Sequence, residues 1–203
     1  MTATRRIAAL TGAAVLAVAL AACGPAPWEE QVPETPAPTT SEPEVEVLPP
    51  VPNDLSSGST ERELEAGAVS ASVNYWSSLT MDRWVAGAIK PISMSMITTI
   101  TPNDGQKVYL KRAAMVVVPA NHKTTFPPLE AQADTSAINP GYLVLSPYSY
   151  SQTFNVGPVP AGATFVTVQF TYDFLVQTTP TSTEYAKQTA TDILTVAIAQ
   201  TSE

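Results

Sequence analysis

The chain has 203 residues but a single cysteine, Cys23, and a single histidine, His122. Its 10 Lys and Arg are outnumbered by 18 Asp and Glu. Each scarcity excludes something. One cysteine forms no intrachain disulfide, so an exported domain would stand on its core alone. One histidine excludes metal sites and hydrolases built from paired imidazoles. Scarce base argues against nucleic acid, whose affinity comes from Lys and Arg on phosphates, and against a polybasic membrane patch. The longest apolar stretch, residues 7–22, has 16 residues, short of the ~20 that span a bilayer. It then runs into Gly24-Pro25. No Gly-x-Ser-x-Gly, no Ser-x-x-Lys, no EF-hand spacing and no phosphate-cradling glycine loop occurs.

What is present is clearest at the N-terminus. Arg5 and Arg6 precede the apolar run, and small residues follow it up to the cysteine, the layout of an export signal. Leu20-Ala21-Ala22-Cys23 resembles the lipobox of bacterial lipoproteins. That resemblance implies cleavage between Ala22 and Cys23, a diacylglycerol thioether on Cys23, and acylation of the new N-terminus. The protein would then be lipid-anchored on the extracytoplasmic face of the cell membrane. Plain secretion, or an uncleaved anchor, are the alternatives. Thr4-Arg5-Arg6 is similar to a twin-arginine signal, but Ala8 and Ala9 stand where that motif carries large apolar residues. The general secretory route is the better fit. An Ala-rich signal, low lysine and a Thr/Pro spacer resemble a high-GC Gram-positive, actinobacterial source. After Ala22 the chain carries eight Lys and Arg against 18 carboxylates.

Residues 23–60 read as a tether. Residues 24–60 hold nine of the 19 prolines, seven carboxylates and no Lys or Arg. Such a composition cannot bury enough apolar surface to offset its ordering entropy. In the polyproline II limit of about 3.1 Å per residue it would reach roughly 115 Å. Thr35-Pro36-Ala37-Pro38-Thr39-Thr40-Ser41 resembles the O-mannosylated segments of some exported actinobacterial lipoproteins. That makes Thr35, Thr39 and Thr40 candidate O-glycosylation sites, with an unmodified spacer as the alternative.

From residue 61 onward one domain is expected. Thr60-Glu61-Arg62-Glu63 matches a capping box, so a short helix could run to Ala66. Beyond it the period is two. Val69, Ala71, Val73 and Tyr75 alternate with Ser70, Ser72 and Asn74. Ile92, Met94, Met96, Thr98 and Ile100 alternate with Ser93, Ser95 and Thr99, with Ile97 out of pattern. Tyr148, Tyr150, Phe154 and Val156 oppose Ser149, Ser151, Thr153 and Asn155. Val166, Val168, Phe170, Tyr172, Phe174 and Val176 form the cleanest series. Leu194, Val196 and Ile198 close the chain. Half-buried strands read this way and helices do not. Met115 to Val118 is apolar at consecutive positions, which marks a central or bulged strand. Thr101-Pro102-Asn103-Asp104-Gly105 reads as a hairpin connection. Seven or so strands predict an all-β, antiparallel sandwich over residues 61–203, immunoglobulin-like in the first instance, with a small barrel as the alternative.

Candidate chemistry is sparse. His122, in a polar loop, is the only candidate general base, with Glu130 or Asp134 as helpers, but no nucleophile accompanies it. Asp82 beside Arg83, or Asp173 between aromatics, could serve a carboxylate pair, though ordinary surface charge accounts for them. The aromatics are the better indication, because Tyr and Trp are contact anchors with a polar handle. Trp76 falls on the polar side of its alternation, and Tyr148 and Tyr150 share a strand face, so these three are the candidate contact aromatics.

The expected function is therefore non-enzymatic contact, with no cofactor and no metal. A lipoprotein would hold its β-sandwich before a protein or other envelope component, a host molecule or an incoming particle. A specific form is a prophage-type superinfection-exclusion lipoprotein. An envelope glycan or lipid hydrolase is the less favoured alternative. A small-solute receptor fits poorly with a single lobe.

Overall fold

The computed structural model describes residues 50–200. Cys23, the cleavage position Ala22, and Thr35, Thr39 and Thr40 lie outside the described residues.

Nine strands follow in order: β1 (Ser59–Ala66), β2 (Val69–Trp76), β3 (Lys90–Ile100), β4 (Val108–Ala120), β5 (Gln132–Thr135), β6 (Tyr142–Leu143), β7 (Ser149–Val156), β8 (Phe165–Gln177) and β9 (Tyr185–Ala197). They build two antiparallel sheets. One has the order β1-β2-β3-β7, the other β5-β4-β8-β9 with β6 also on β4. The chain crosses from one sheet to the other between β3 and β4, between β6 and β7, and between β7 and β8. Because β3 pairs β7 while β4 pairs β8, the first and last of these crossings interlock. Taken without β1, β2-β3-β7 against β9-β8-β4-β5 reproduces the A-B-E and G-F-C-C′ arrangement of an immunoglobulin-like sandwich. β1 is an added strand outside the first position. No ladder joins the two sheets, which sets the barrel aside.

Alternation fills the interior as the sequence suggests. Val73, Tyr75, Ile92 and Met94 from the first sheet meet Val168, Phe170, Tyr172 and Phe174 from the second, all of them fully buried. The Tyr75 hydroxyl lies 2.9 Å from that of Tyr172, which in turn donates to Met94 Sδ at 3.3 Å. Two phenols thus enter the core because each finds a partner there. The apolar run at Met115 to Val118 belongs to β4, which is central in its sheet and irregular between Leu110 and Arg112.

Three expectations need correction. Residues 60–66 are strand, not helix. Thr60, Arg62, Leu64 and Ala66 turn inward while Glu61, Glu63 and Glu65 turn out, and eight paired positions on β2 outweigh a six-residue helix with its costly nucleus. Gly67, at φ 61°, then makes the two-residue turn into β2. The folded part also starts before residue 61. Leu55 is fully buried, and Asp54 exchanges bonds with Thr195, its amide donating to the carbonyl at 2.9 Å and its carboxylate accepting from the amide at 2.7 Å. Finally, Thr101 to Gly105 is not a hairpin turn. β3 is already flanked by β2 and β7, so the reversal delivers the chain to the opposite sheet.

The registers give the sandwich two distinct poles. Residues 50–58, 77–89, 121–131, 157–164 and 198–200 gather at one. Residues 67–68, 101–107, 136–141, 144–148 and 178–184 gather at the other.

Candidate functional site

The outer face of the first sheet is where the alternation leaves its polar residues. Read across the strands, the rows are Ser59, Trp76, Ser93 and Thr153; then Glu61, Asn74, Ser95 and Ser151; then Glu63, Ser72, Ile97 and Ser149; then Glu65, Ser70 and Thr99. Short hydroxyl side chains dominate. Trp76, half-buried, and Ile97, 37 % exposed, are the large apolar members of these rows. There is no Lys or Arg among them.

Some of these groups are tied. The hydroxyl of Ser72 donates to Glu61 at 3.0 Å and that of Ser70 to Glu65 at 2.9 Å. Ser93 and Thr153 pair at 2.8 Å, and Ser151 donates to the Met94 carbonyl at 3.0 Å. The side chains of Asn74, Ser95 and Ser149 have no protein partner among the described residues. A shallow depression of about 300 Å³ opens here, lined by Glu61, Ser72, Asn74, Ser95, Ile97 and Ser149 with Met96 beneath, at the lower limit of small-molecule sites.

The three candidate aromatics do not form one site. Trp76 sits at the end of β2 on this face. Tyr148 is 57 % exposed but precedes β7, at the opposite pole. Tyr150 is buried. Its hydroxyl donates to Asp134 at 2.7 Å, and its ring stacks on Tyr142 at 5.4 Å. Burial first, and the Asp134 carboxylate second, push its phenol above the ordinary range. Tyr150 is therefore a core residue and not a contact anchor. Alternation had grouped it with Tyr148, but the strand begins only at Ser149.

The hydrolase candidates are scattered. His122 is exposed on the 121–131 connection with its ring 6.4 Å from Phe165. Asp134 faces Ala113, seven residues back along β4 from Ala120, or about 23 Å at strand rise. Its carboxylate is taken up by Tyr150 and, at 3.4 Å, Tyr142. Glu130 is exposed. Asp82 and Arg83 are both exposed in a single 3-10 turn. Asp173 accepts from Thr189 at 2.8 Å and pairs with Lys187 at 3.0 Å. Its burial opposes the charge, but the Thr189 hydroxyl, Lys187 and Arg112 together hold the carboxyl below its usual range. These contacts assemble no nucleophile with a base. Among the described residues there is no group of three or more His, Cys, Asp or Glu that could hold a metal ion.

Sequence reasoning missed Lys90 altogether. Its side chain is completely buried at the start of β3. The three N–H groups of the ammonium are shared among the carbonyls of Ala88 at 2.6 Å, Gly157 at 3.0 Å, Val85 at 3.3 Å and Ala86 at 3.4 Å. Burial pushes its pKa down from the ordinary lysine value. This cage ties the 77–89 connection to the crossing that follows β7. The available signal was a lysine in the first inward position of a strand whose other inward residues, Thr98 apart, are apolar.

No protein-family model matches the chain, and no curated protein matches it.

Proposed function

We propose that this chain is an envelope lipoprotein whose β-sandwich works by contact rather than by catalysis. Cys23 carries the lipid, the chain from there to the first tie with the sandwich at Asp54 acts as spacer, and the sandwich presents a binding surface away from the bilayer. The single observation that supports this reading most is where the chain joins the fold. Residues 50–58 meet the sandwich at one pole, against β9 and beside the start of β1. The polar sheet face and the opposite pole, with Tyr148 and the 178–184 loop, are left unobstructed by that junction. Among the described residues no helix is long and apolar enough to cross a membrane, and attachment is assigned to acyl chains, two or more of which hold stably.

The test is fractionation of the full chain against Cys23→Ala. The wild type should sediment with membranes, partition into detergent and show a lipid mass increment. The variant should be released or retained as an unmodified precursor. A Cys23→Ala protein that stays membrane-bound with unchanged mobility would refute the anchor. For the contact role, the detergent-solubilised full chain used as bait should capture a saturable envelope component, and capture that never saturates would refute it.

A further inference from the structure

We propose that the outer face of β1-β2-β3-β7 is a binding platform for a neutral saccharide chain. In it the Trp76 indole stacks on a sugar ring, while Glu61, Asn74 and Ser95 bond the sugar hydroxyls. This deepens the contact reading and rests on it, but not on the lipid anchor.

Four features of the face select this ligand class. First, its hydrogen-bonding groups are mixed. Serine and threonine hydroxyls both donate and accept, the Asn74 amide does both at fixed positions, and the glutamates accept. A polyol has the same mixed character, whereas a hydrophobic protein anchor has not. Second, the charge is one-sided. Glu61, Glu63 and Glu65 stand on the face with no Lys or Arg among its rows, which disfavours phosphate, sulfate, uronate and anionic lipid. Third, Trp76 lies in the row next to Glu61, Asn74 and Ser95. An aromatic plane bordered by acceptors and donors matches a pyranose, which has an apolar C–H face and a polar rim. The apolar surface is small and divided, since Ile97 lies two rows away, so it is a poor match for the core of a protein interface. Fourth, the platform is already built. Ser72 fixes the Glu61 carboxylate and Thr153 fixes Ser93, while Asn74 and Ser95 keep their polar atoms free for a ligand. Short side chains keep the surface shallow, and the distance from Ser72 to Trp76 along β2 is about 13 Å, room for more than one sugar ring.

The experiment uses the full chain in detergent, titrated with mannohexaose, cellohexaose and chitohexaose while Trp fluorescence and binding heat are followed. Sulfated dextran and oligolysine serve as anionic and cationic probes. Saturable binding of at least one neutral hexasaccharide is expected. Trp76→Ala should weaken it about tenfold or more, one decade of affinity being about 1.4 kcal/mol. Trp76→Phe should restore much of the loss, and Asn74→Ala should weaken binding severalfold. Unchanged thermal midpoints for the variants show that the fold is intact. Ile193→Ala, exposed on the outer face of the other sheet, should leave binding as it was. The proposal is overturned if none of the three neutral probes binds, if Trp76→Ala binds as the wild type does, or if either charged polymer is preferred. Each of these results leaves the saturable capture of an envelope component by the full-chain bait untouched, so failure here and failure of the contact reading are separable.

Discussion

Replacing Lys90 with methionine removes the ammonium while keeping most of the stem volume. Four carbonyls lose a donor. Two of them retain a backbone partner, since Val85 accepts from the Ala88 amide at 3.1 Å and Ala86 from the Val159 amide at 2.9 Å. The Ala88 and Gly157 carbonyls, at 2.6 and 3.0 Å from the ammonium, are left without it. A buried polar group stripped of its partner costs about 1–3 kcal/mol, so the two together cost about 2–6 kcal/mol. The opposing effect is release of a buried charge, which itself costs several kcal/mol when poorly compensated. The carbonyl contacts offset much of that penalty but not all of it, so we expect a net loss of about 3 kcal/mol for Lys90→Met. For a domain of this size that lowers the thermal midpoint by about 6–12 °C. Urea unfolding at pH 7, followed by Trp fluorescence, measures it, with the denaturant slope unchanged. The pH dependence gives a second arm. Burial lowers the folded-state pKa of Lys90 below its ordinary 10.5, so between the two values the unfolded chain holds more protons. Its penalty is full below the folded pKa and is relieved as pH rises toward 10.5. The wild type should gain up to about 1.4 kcal/mol per pH unit in that window relative to Lys90→Met. A variant as stable as the wild type at pH 7 would show that desolvation cancels the cage. A gap between the two proteins that stays constant up to pH 10 would remove the burial argument.

Above pH 10 the sign reverses. Burial raises the phenol pKa values of Tyr75, Tyr150 and Tyr172 above the ordinary 10.0, so their contribution is complete below pH 10 and lost above it. Stability should then fall by up to about 4 kcal/mol per pH unit, and absorbance near 295 nm should show these phenols ionising only with unfolding. Gly141→Ala should be severely destabilised, by about 3 kcal/mol or more, because a Cβ there would sit 2.5 Å from the Leu110 carbonyl oxygen; failure to recover folded protein, or a midpoint collapse on heating, is the readout. Gln132→Ala should cost about 1–3 kcal/mol and speed amide exchange at Asn155, whose backbone amide and carbonyl both bond the Gln132 side chain, at 3.1 and 2.5 Å.

How far the sequence anticipated this fold depends on which interaction decides each element. Strands β2, β3 and β8 were legible because one face of each is buried, and burial imposes period two on the residues themselves. The core list from Val166 to Val176 follows directly. β1 was misread because a four-residue local signal competes with a pairing partner that alternation in residues 60–66 only weakly announces. Its outward glutamates resemble the first turn of a helix and the solvent face of an edge strand equally well. The reversal at Thr101 to Gly105 was recognised but not its destination, since turn residues specify a change of direction and not a sheet. The candidate face was half visible. Ser70, Ser72, Ser93, Ser95, Ser149 and Ser151 were separate alternations until the registers aligned them, and Ile97 and Trp76 then stood out as its large apolar members. Lys90 left only its inward place in the alternation as a signal, because the carbonyls that make a buried ammonium tolerable include that of Gly157, brought from the far side of β7 by the fold.

The flanks of the sandwich bear on which surface is free to bind. On one flank the sheets are sewn together, by Gln132 on Asn155 and by Tyr150 on Asp134, with Val144 accepting from Thr98 and donating to Val108. The other flank exposes two edges, β1 and β9, the latter already occupied at Thr195 by Asp54. Such edges invite an added strand from another chain. These carry the features that deter one, with Arg62 and Asp192 both at inward-facing positions on the edge strands themselves. Arg62 reaches Asp54 at 2.8 Å, yet its Nε, Asp192 Oδ2 and Gln188 Oε1 are buried without a partner, three of the four such atoms among the described residues. A strand docking on β9 would have to form its ladder beside the unsatisfied Gln188 and Asp192 and the exposed Lys187. Recognition through edge pairing is therefore disfavoured on the flank where it is sterically open. The loops at the far pole offer Tyr148 and the isolated Ile138, 66 % exposed, without a row of polar partners around either. The face of β1-β2-β3-β7 differs from both, because its polar groups come from four strands in register and are partly locked by one another. That rigidity lowers the entropy cost of binding a flexible polyol, which is the physical reason to place recognition on the sheet rather than on its edges or its loops.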